Sequence, residues 1–531
     1  MPRPEPNASV RAGACSYYTT APAFGATDYL NKMVISMKKI RVLSLLTALL
    51  LFLTLLAPMA LAAPEETTAE SDSGDVPPWV EDPTAWREDM LADAPEYEAN
   101  CGTALLLELN SGTVVYAKNA EQTVYPASLT KIMTCYLALE YAGNRLDAMV
   151  TVSSTALEGI AAAGGEVTLK EGEQLTLRDL LYYLMVISSN EAANVVAEYV
   201  AGSVPSFVNS MNKAAEEMGC TGTHFANAHG LHDPNHYTTA RDLSIITRKA
   251  LANETFREIV AAPTYVVAAT NLSPKRTLTT TNYLIDDNGK NYLGDNGNYY
   301  KYYYDLATGI KTGYTSAAGR CVISRATDGH MDLLVVILGA DTPIVSDGST
   351  RFNNFVEAKK LFLYGFDNFE YAQVISIHNS KHCMYSVPVK YSKDKNGVVL
   401  VPSSIVNCLL PKGFDKDLIT FDYTLDDPNG LTAPLEAHQK VGTVRAYYNG
   451  TLIGETSLET ITSVSTDQSE KVVDKLITNP TLRKVLKILL IIIAVLVVLL
   501  IVRSVLYNVL RRVNRRRAKE ARAQRERNDR L

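Results

Sequence analysis

None of the seven cysteines (residues 15, 101, 135, 220, 321, 383 and 408) forms a Cys-x-x-Cys pair. That absence argues against a zinc ribbon and against a thioredoxin-type redox motif. Cys135 and Cys321 sit in apolar runs, as small core residues do; spacing pairs none of the seven in a disulfide. An excess of positive charge is also missing. The 51 Lys and Arg stand against 57 Asp and Glu, a net charge of −6, so composition gives no reason to expect nucleic acid as a partner. Tryptophan occurs twice, as Trp79 and Trp86, both inside an acidic, Pro-, Thr- and Ser-rich stretch over residues 63–99. Such a stretch has little core-forming capacity and reads as a linker.

Long apolar runs lie near the two ends. Met37-Lys38-Lys39-Ile40-Arg41 precedes Val42–Leu56, which is apolar apart from Ser44, Thr47 and Thr54, and Ala60-Leu61-Ala62 follows. A basic start, an apolar centre and a small-x-small site are the layout of a secretory signal peptide over 37–62. Residues 1–36 then read as a superfluous extension, with translation expected to start at Met37. No cysteine stands at the cleavage site, so lipid attachment there is not indicated. At the other end Ile488–Val502 is unbroken Leu, Ile, Val and Ala. The segment 485–510 reaches the roughly 20 residues that span a bilayer. Arg511, Arg512, Arg515, Arg516 and Arg517 open a basic tail over 511–531. The denser arginine cluster is expected to stay in the cytoplasm, which leaves the body of the chain outside the membrane.

Between the ends, residues 100–370 read as one α+β domain. Cys101–Asn110 and Thr113–Lys118 flank a Ser-Gly turn as a hairpin, helices follow, and two apolar strands, Gly319–Ala326 and Met331–Gly339, meet at Asp328-Gly329-His330. A helix over Asn353–Tyr364 ends at Gly365 in this reading. The order predicts an antiparallel sheet built from both ends of the domain, with flanking helices and an inserted helical subdomain. Residues 286–304, rich in Gly, Asn and Tyr, read as an exposed loop. From 371 to 462 short alternating strands separated by Pro, Gly and Asn predict a small all-β domain. It carries no clustered nucleophile, metal set or phosphate loop. Residues 463–484 read as a polar stem.

The chemistry centres on Tyr125-Pro126-Ala127-Ser128-Leu129-Thr130-Lys131. Serine and lysine three apart, after a proline and before an apolar run, fall on one face of a helix. The ammonium of Lys131 can then reach the hydroxyl of Ser128. A serine attacks only once a base takes its proton, and a lysine near other cations and partly buried gives up its own readily. Ser-x-x-Lys alone is a weak signal. Ser188-Ser189-Asn190, opening a helix, and Lys311-Thr312-Gly313, opening the terminal strand set, follow it at domain-scale spacing. The three in that order are a strong one.

These motifs resemble those of the serine penicillin-recognising enzymes, more narrowly the low-molecular-mass penicillin-binding proteins that are D-alanyl-D-alanine carboxypeptidases. Thr223–Leu231, His236–Leu243 and Thr308–Thr315 carry the same likeness, and residues 372–462 are similar to the C-terminal β-domain of those proteins. The resemblance implies that Ser128 attacks the carbonyl between two terminal D-alanines of a peptidoglycan stem peptide and that neutral Lys131 takes its proton. It further implies that Ser188 relays a proton to the leaving D-alanine, that Asn190 orients Lys131, and that Lys311 and Thr312 hold the free carboxylate. The oxyanion donors would be the N–H groups of Ser128 and Tyr314, and Lys311, Thr312, Gly313 and Tyr314 would be the substrate-binding residues. No cofactor or metal is implied, and β-lactams would act as covalent inhibitors. Two departures stand out: Glu191 follows Asn190 where the family often has Asp, and the C-terminal segment is apolar all round, so it spans rather than lies on the membrane.

Three other readings compete. A class A β-lactamase shares the three motifs but adds a Glu-x-x-Leu-Asn loop, which residues 191–269 lack. His224, His229, His232 and His236, half of the eight histidines, invite a zinc reading. Their stretch is Gly/Pro/Asn-rich and holds no His-x-x-x-His on a helix. A catalytically dead peptidoglycan-binding scaffold is the third, and intact Ser128, Lys131, Ser188, Asn190 and Lys311 argue against it.

Overall fold

A computed structural model describes residues 95–528 apart from residue 144, residues 161–167 and residues 395–396. The signal segment, the extension before it and both tryptophans lie outside the described residues.

Two hairpin strands, β1 (Thr103–Glu108) and β2 (Val114–Lys118), open the first folded region, and β3 (Lys311–Thr315), β4 (Gly319–Thr327) and β5 (Asp332–Ala340) come near its end. They form one five-stranded sheet in the order β2-β1-β5-β4-β3, and every neighbouring pair is antiparallel. The strand from the start of the region thus lies against the strand from its end, with Leu105 opposite Val336. Alternation explains why it is covered on both faces. Leu105, Leu107, Leu334, Val336 and Leu338 pack into one apolar core; Ala104, Leu106, Leu333, Val335 and Ile337 pack into another.

The first core is helical. It takes α1 (Lys131–Ala142), α2 (Leu177–Met185), α3 (Asn190–Ala201), α4 (Val204–Glu217), α5 (Ala240–Leu251) and α6 (Glu254–Ala261). The chain starts these helices where its sequence offers caps. At α2 a Thr176–Asp179 capping box satisfies donors at both residues. At α3 Ser189 Oγ accepts from the Ala192 N–H at 3.0 Å, and Gly202 ends the helix in a left-handed conformation. The second core is closed by α7 (Asn353–Asn368), through Phe355, Ala358, Leu361 and Phe362.

Two sequence expectations need correction here. Gly365 does not end α7: it lies within the helix, and a Cβ there would meet Leu333 Cδ1 at 2.7 Å, so the residue permits close approach to the sheet. Residues 286–304 are not simply an exposed loop. Asn291–Leu293 pairs with Tyr299–Lys301, and Leu293, Tyr302 and Tyr304 are buried. Tyrosine supplies enough apolar area to anchor a Gly/Asn-rich excursion.

Beyond α7 a second region is all β. Strands β6 (Phe369–Ile375) and β9 (Val406–Pro411) pair with each other. Strands β7 (Met384–Val387), β8 (Val398–Pro402), β10 (Ile419–Leu425), β11 (Lys440–Tyr448) and β12 (Thr451–Thr460) form a five-stranded sheet in the order β7-β8-β12-β11-β10. Their core is aliphatic, with Leu400, Val444, Ala446, Ile453 and Leu458 essentially inaccessible. The stem contains a helix, α8 (Gln468–Thr478), whose first N–H groups are capped by Asp467. It leads into α9 (Pro480–Asn528), which is long and apolar enough to cross a membrane.

Candidate active site

Pro126 brings the chain into a single 3-10 turn, Ala127–Thr130, and α1 begins only at Lys131. Ser128 therefore sits on the turn before the helix rather than within it. Two non-glycine residues here have left-handed backbone, Ala127 at φ 48° and Ser188 at φ 63°. Each such conformation costs about 1–3 kcal/mol and persists only where the surroundings dictate it. One immediately precedes Ser128; the other is itself a motif serine.

The surroundings are two backbone segments pressed on the turn. Gly230, at φ 86°, leaves no room for a side chain: a Cβ would fall 1.9 Å from Ala127 O. Gly313 on β3 approaches from the other side, where a Cβ would lie 3.2 Å from Ser128 N. The histidine-rich loop supplies the rest of the scaffold. Ala226 N–H donates to His236 Nδ1 at 3.0 Å, so His236 Nε2 carries the proton and donates to Thr130 Oγ1 at 2.7 Å. Thr130 in turn donates to Ala127 O at 2.9 Å. Burial pushes the His236 pKa down to about 4, which keeps it in this neutral tautomer.

The other histidines are similarly engaged. His224 Nδ1 is 2.5 Å from Asn235 O, His229 Nδ1 accepts from Leu231 N–H, and His232 packs edge-on against Tyr125. Among the described residues no three His, Cys, Asp or Glu side chains are grouped to hold a metal ion. Cys101, Cys135, Cys220 and Cys321 are free thiols.

Lys131 is fully buried. Its Nζ lies 2.8 Å from Asn190 Oδ1, 2.6 Å from His229 O and 3.0 Å from Ser128 Oγ. Burial holds its pKa well below the ordinary lysine value, and the nearby charge of Lys311 lowers it further, while Glu191 opposes the shift. The geometry suits the neutral amine. Two of its partners can only accept, so they take its two N–H groups. In the neutral form the lone pair is then left for the serine hydroxyl.

Lys311 is also buried, and burial lowers its pKa to about 7. Its Nζ donates to Thr312 O at 2.9 Å. Thr312 Oγ1 lies 2.5 Å from Thr281 Oγ1. Ser128, Ser188, Thr281, Thr312, Gly313 and Tyr314 line one cavity of 520 Å³. The structure thus brings all eight sequence-selected residues together: Ser128, Ser188, Thr312, Gly313 and Tyr314 line the cavity, with Lys131, Asn190 and Lys311 behind it. Glu191 is turned away, accepting from the N–H and hydroxyl of Thr168.

Sequence reasoning missed three participants. The carbonyl of His229 has no residue-type signature, since any residue offers one. Thr281 had a weak signal, the polar run Thr279-Thr280-Thr281-Asn282. Arg320 on β4 also lines the cavity and went unremarked.

Comparison with known proteins places the chain in a family. Residues 89–342 match the family model described as D-alanyl-D-alanine carboxypeptidase, and residues 369–466 match that of the penicillin-binding protein 5 C-terminal domain. The D-alanyl-D-alanine carboxypeptidase DacC of Escherichia coli is 34% identical over 385 residues, covering 71% of this chain and 86% of that protein. Penicillin-binding protein 5 of Haemophilus influenzae superposes with a TM-score of 0.52 at 29% identity, covering 70% of this chain and 99% of that one. Penicillin-binding protein 6B of Escherichia coli gives the same TM-score, 0.52, at 26% identity. Sequence and fold agree, and the chain belongs to the D-alanyl-D-alanine carboxypeptidase family of low-molecular-mass penicillin-binding proteins.

Proposed function

We propose that this serine D-alanyl-D-alanine carboxypeptidase works through Ser128 as nucleophile and neutral Lys131 as its base. The observation that carries the reading is the buried Lys131 Nζ, held by Asn190 Oδ1 and His229 O and 3.0 Å from Ser128 Oγ. Ser128 gives its proton to Lys131 Nζ while Oγ bonds to the carbonyl carbon between the two terminal D-alanines of a stem peptide. The resulting oxyanion meets the N–H groups of Ser128 and Tyr314, each donor contributing roughly 3–4 kcal/mol of barrier lowering. Ser188 relays that proton from Lys131 to the leaving nitrogen, the C–N bond breaks, D-alanine departs and Lys131 is neutral again. Water then attacks the ester, returning the proton through Lys131. Thr312 hydrogen-bonds the substrate carboxylate, and burial keeps Lys131 neutral, with the charge of Lys311 adding to the effect when it is protonated. A β-lactam enters the same path but leaves no small amine, and its acyl-enzyme persists.

The test is D-alanine release from a diacylated lysyl-D-alanyl-D-alanine tripeptide, run beside hydrolysis of the cephalosporin nitrocefin. Efficient peptide hydrolysis with only slow nitrocefin turnover is expected. Comparable turnover of the two would favour a β-lactamase; among the described residues no glutamate lines the cavity to activate a deacylating water.

The membrane arrangement belongs to the same proposal. The apolar part of α9 spans the bilayer, the catalytic region lies outside, and the arginine-rich end remains in the cytoplasm. Protease added to intact protoplasts is expected to digest the catalytic region and spare an epitope tag at residue 531. Loss of the tag with retention of the catalytic region would reverse the orientation.

A further inference from the structure

The excursion over residues 286–304 is firmly held. Buried Tyr302 accepts the Phe352 N–H on its hydroxyl at 2.8 Å and packs its ring against Tyr292 and Phe355. Arg351 Nη1 pairs with Asp295 Oδ1 at 2.6 Å, and Lys301 Nζ with Asp287 Oδ1 at 2.7 Å. The hairpin of Asn291–Leu293 with Tyr299–Lys301 is thereby clamped to the start of α7 and to the loop before it. Its root belongs to the catalytic cavity, whose wall includes Asp286 and Lys290 as well as Ser128.

This fixed hairpin leaves two aromatic rings in solvent. Tyr299 is 62% exposed and Tyr300 42%. Hydrogen bonds hold their hydroxyl ends: Tyr299 donates to Asp347 Oδ2 at 2.6 Å, and Tyr300 accepts from Asn296 Nδ2 at 2.7 Å. Asn291, Asn296 and Asn298 are exposed on the same hairpin. The acids beside them are engaged, Asp287 by Lys301, Asp295 by Arg351 and Asp347 by Tyr299. A tyrosine offers a large contact area for two side-chain torsions, and rings already held in place cost a ligand little ordering. Ring faces edged with carboxamides suit a neutral, polyhydroxylated sugar. Its C–H face packs on tyrosine, and its hydroxyl and acylamino groups meet asparagine. A folded protein partner would call for a wider apolar patch.

We propose that Tyr299 and Tyr300 form a platform for the glycan strands of peptidoglycan, an accessory binding surface beside the catalytic cavity. The inference rests on the carboxypeptidase reading above and narrows its substrate class to stem peptides still attached to polymeric glycan. Distance allows it. Tyr300 pairs with Tyr292, two residues and about 7 Å of strand beyond Lys290 on the cavity wall. The stem between the cleaved bond and the sugar, about four residues, extends roughly 13–14 Å.

The test measures D-alanine release by the full chain in detergent, from a glycan-linked pentapeptide and from the diacylated tripeptide. Beside it runs co-sedimentation of the penicillin-treated enzyme with purified peptidoglycan sacculi, so that the blocked cavity does not contribute. Wild type is expected to show a KM roughly 10-fold lower on the glycan-linked substrate. Replacing both rings, Tyr299→Ala with Tyr300→Ala, removes that advantage and the sedimentation, while kcat and the tripeptide KM stay as in wild type. Peptide-free glycan strands release wild type from sacculi without slowing tripeptide hydrolysis, a readout that needs no variant to fold. Equal KM on the two substrates in wild type, no release by glycan strands, or a folded double variant that sediments like wild type would overturn the proposal. So would a concentration-dependent dimer that the double variant abolishes while its KM on the glycan-linked peptide is unchanged, which would give the patch to a second copy of the chain. A wild type that releases no D-alanine from either substrate overturns the carboxypeptidase reading and this inference together; a wild type active on both but indifferent to glycan overturns this inference alone.

Discussion

Substituting Ser128 by Ala is expected to lower acylation by a fluorescent penicillin, and D-alanine release with it, by a factor on the order of 10⁶. The hydroxyl is the bond-forming atom, and nothing else on the cavity wall replaces it in register with the lone pair of Lys131. Ser188 does not compensate. Its left-handed backbone fixes it at the mouth of α3, and no hydrogen bond links it to Lys131. The fold should survive, because the turn at Ser128 is held by its neighbours: the His236–Thr130–Ala127 chain and the backbone of Gly230. The check is in-gel fluorescence at saturating penicillin, with thermal unfolding measured alongside. Retained label in a folded Ser128→Ala protein would remove Ser128 as nucleophile.

Removing the base comes second in size. Lys131→Ala is expected to slow acylation by about 10²–10⁴-fold, the range of a well-placed general base. It also strands two buried acceptors, Asn190 Oδ1 and the His229 carbonyl, so a fall in stability of about 1–3 kcal/mol should accompany it. Lys131→Arg separates the two effects. Arginine keeps a donor near those acceptors, yet it cannot offer a lone pair, so stability recovers in part and acylation does not. The pH profile follows from the same shift. Burial and Lys311 lower the pKa of Lys131, so the neutral, reactive amine is the dominant form above that lowered value. Acylation is therefore fully expressed on the alkaline side of it and falls as pH drops through it. Stopped-flow acylation across pH in wild type should give an acid limb well below the ordinary lysine pKa of 10.5. A rate still rising steeply near that value would mean that Lys131 is an ordinary charged lysine.

Much of this site was legible in the sequence because its chemistry needs particular residue types at short spacings. Ser128 and Lys131 are three apart, and Asn190 stands beside the residue that caps its own helix. The apolar alternation of β4 and β5 announced a sheet strand pair, and the register Val322–Ile337 to Thr327–Asp332 realises it. What could not be read depends on contacts made by any backbone or by distant segments. The His229 carbonyl reaches Lys131 across 98 positions of chain. Burial of Tyr302 is set by Phe355 and Phe352, far along the sequence. Gly365 carries the local signal of a helix end, but tertiary packing against Leu333 keeps the helix going. Strand β9 carries little local signal for a related reason: Val406–Pro411 is buried almost throughout, so it lacks the polar alternation that marks a half-buried strand. The stem helix α8 was missed despite its Asp467 cap, because Val472, Val473, Leu476 and Ile477 lie exposed and no core partner marks its apolar face.

The mechanism turns on which oxygen becomes acylated, and peptide mapping by mass spectrometry after brief exposure to benzylpenicillin reads that directly. A single penicilloyl adduct on the peptide that contains Ser128 is the result it predicts. An adduct on Ser188 or on any other side chain, or intact unmodified protein at saturating drug, would contradict it.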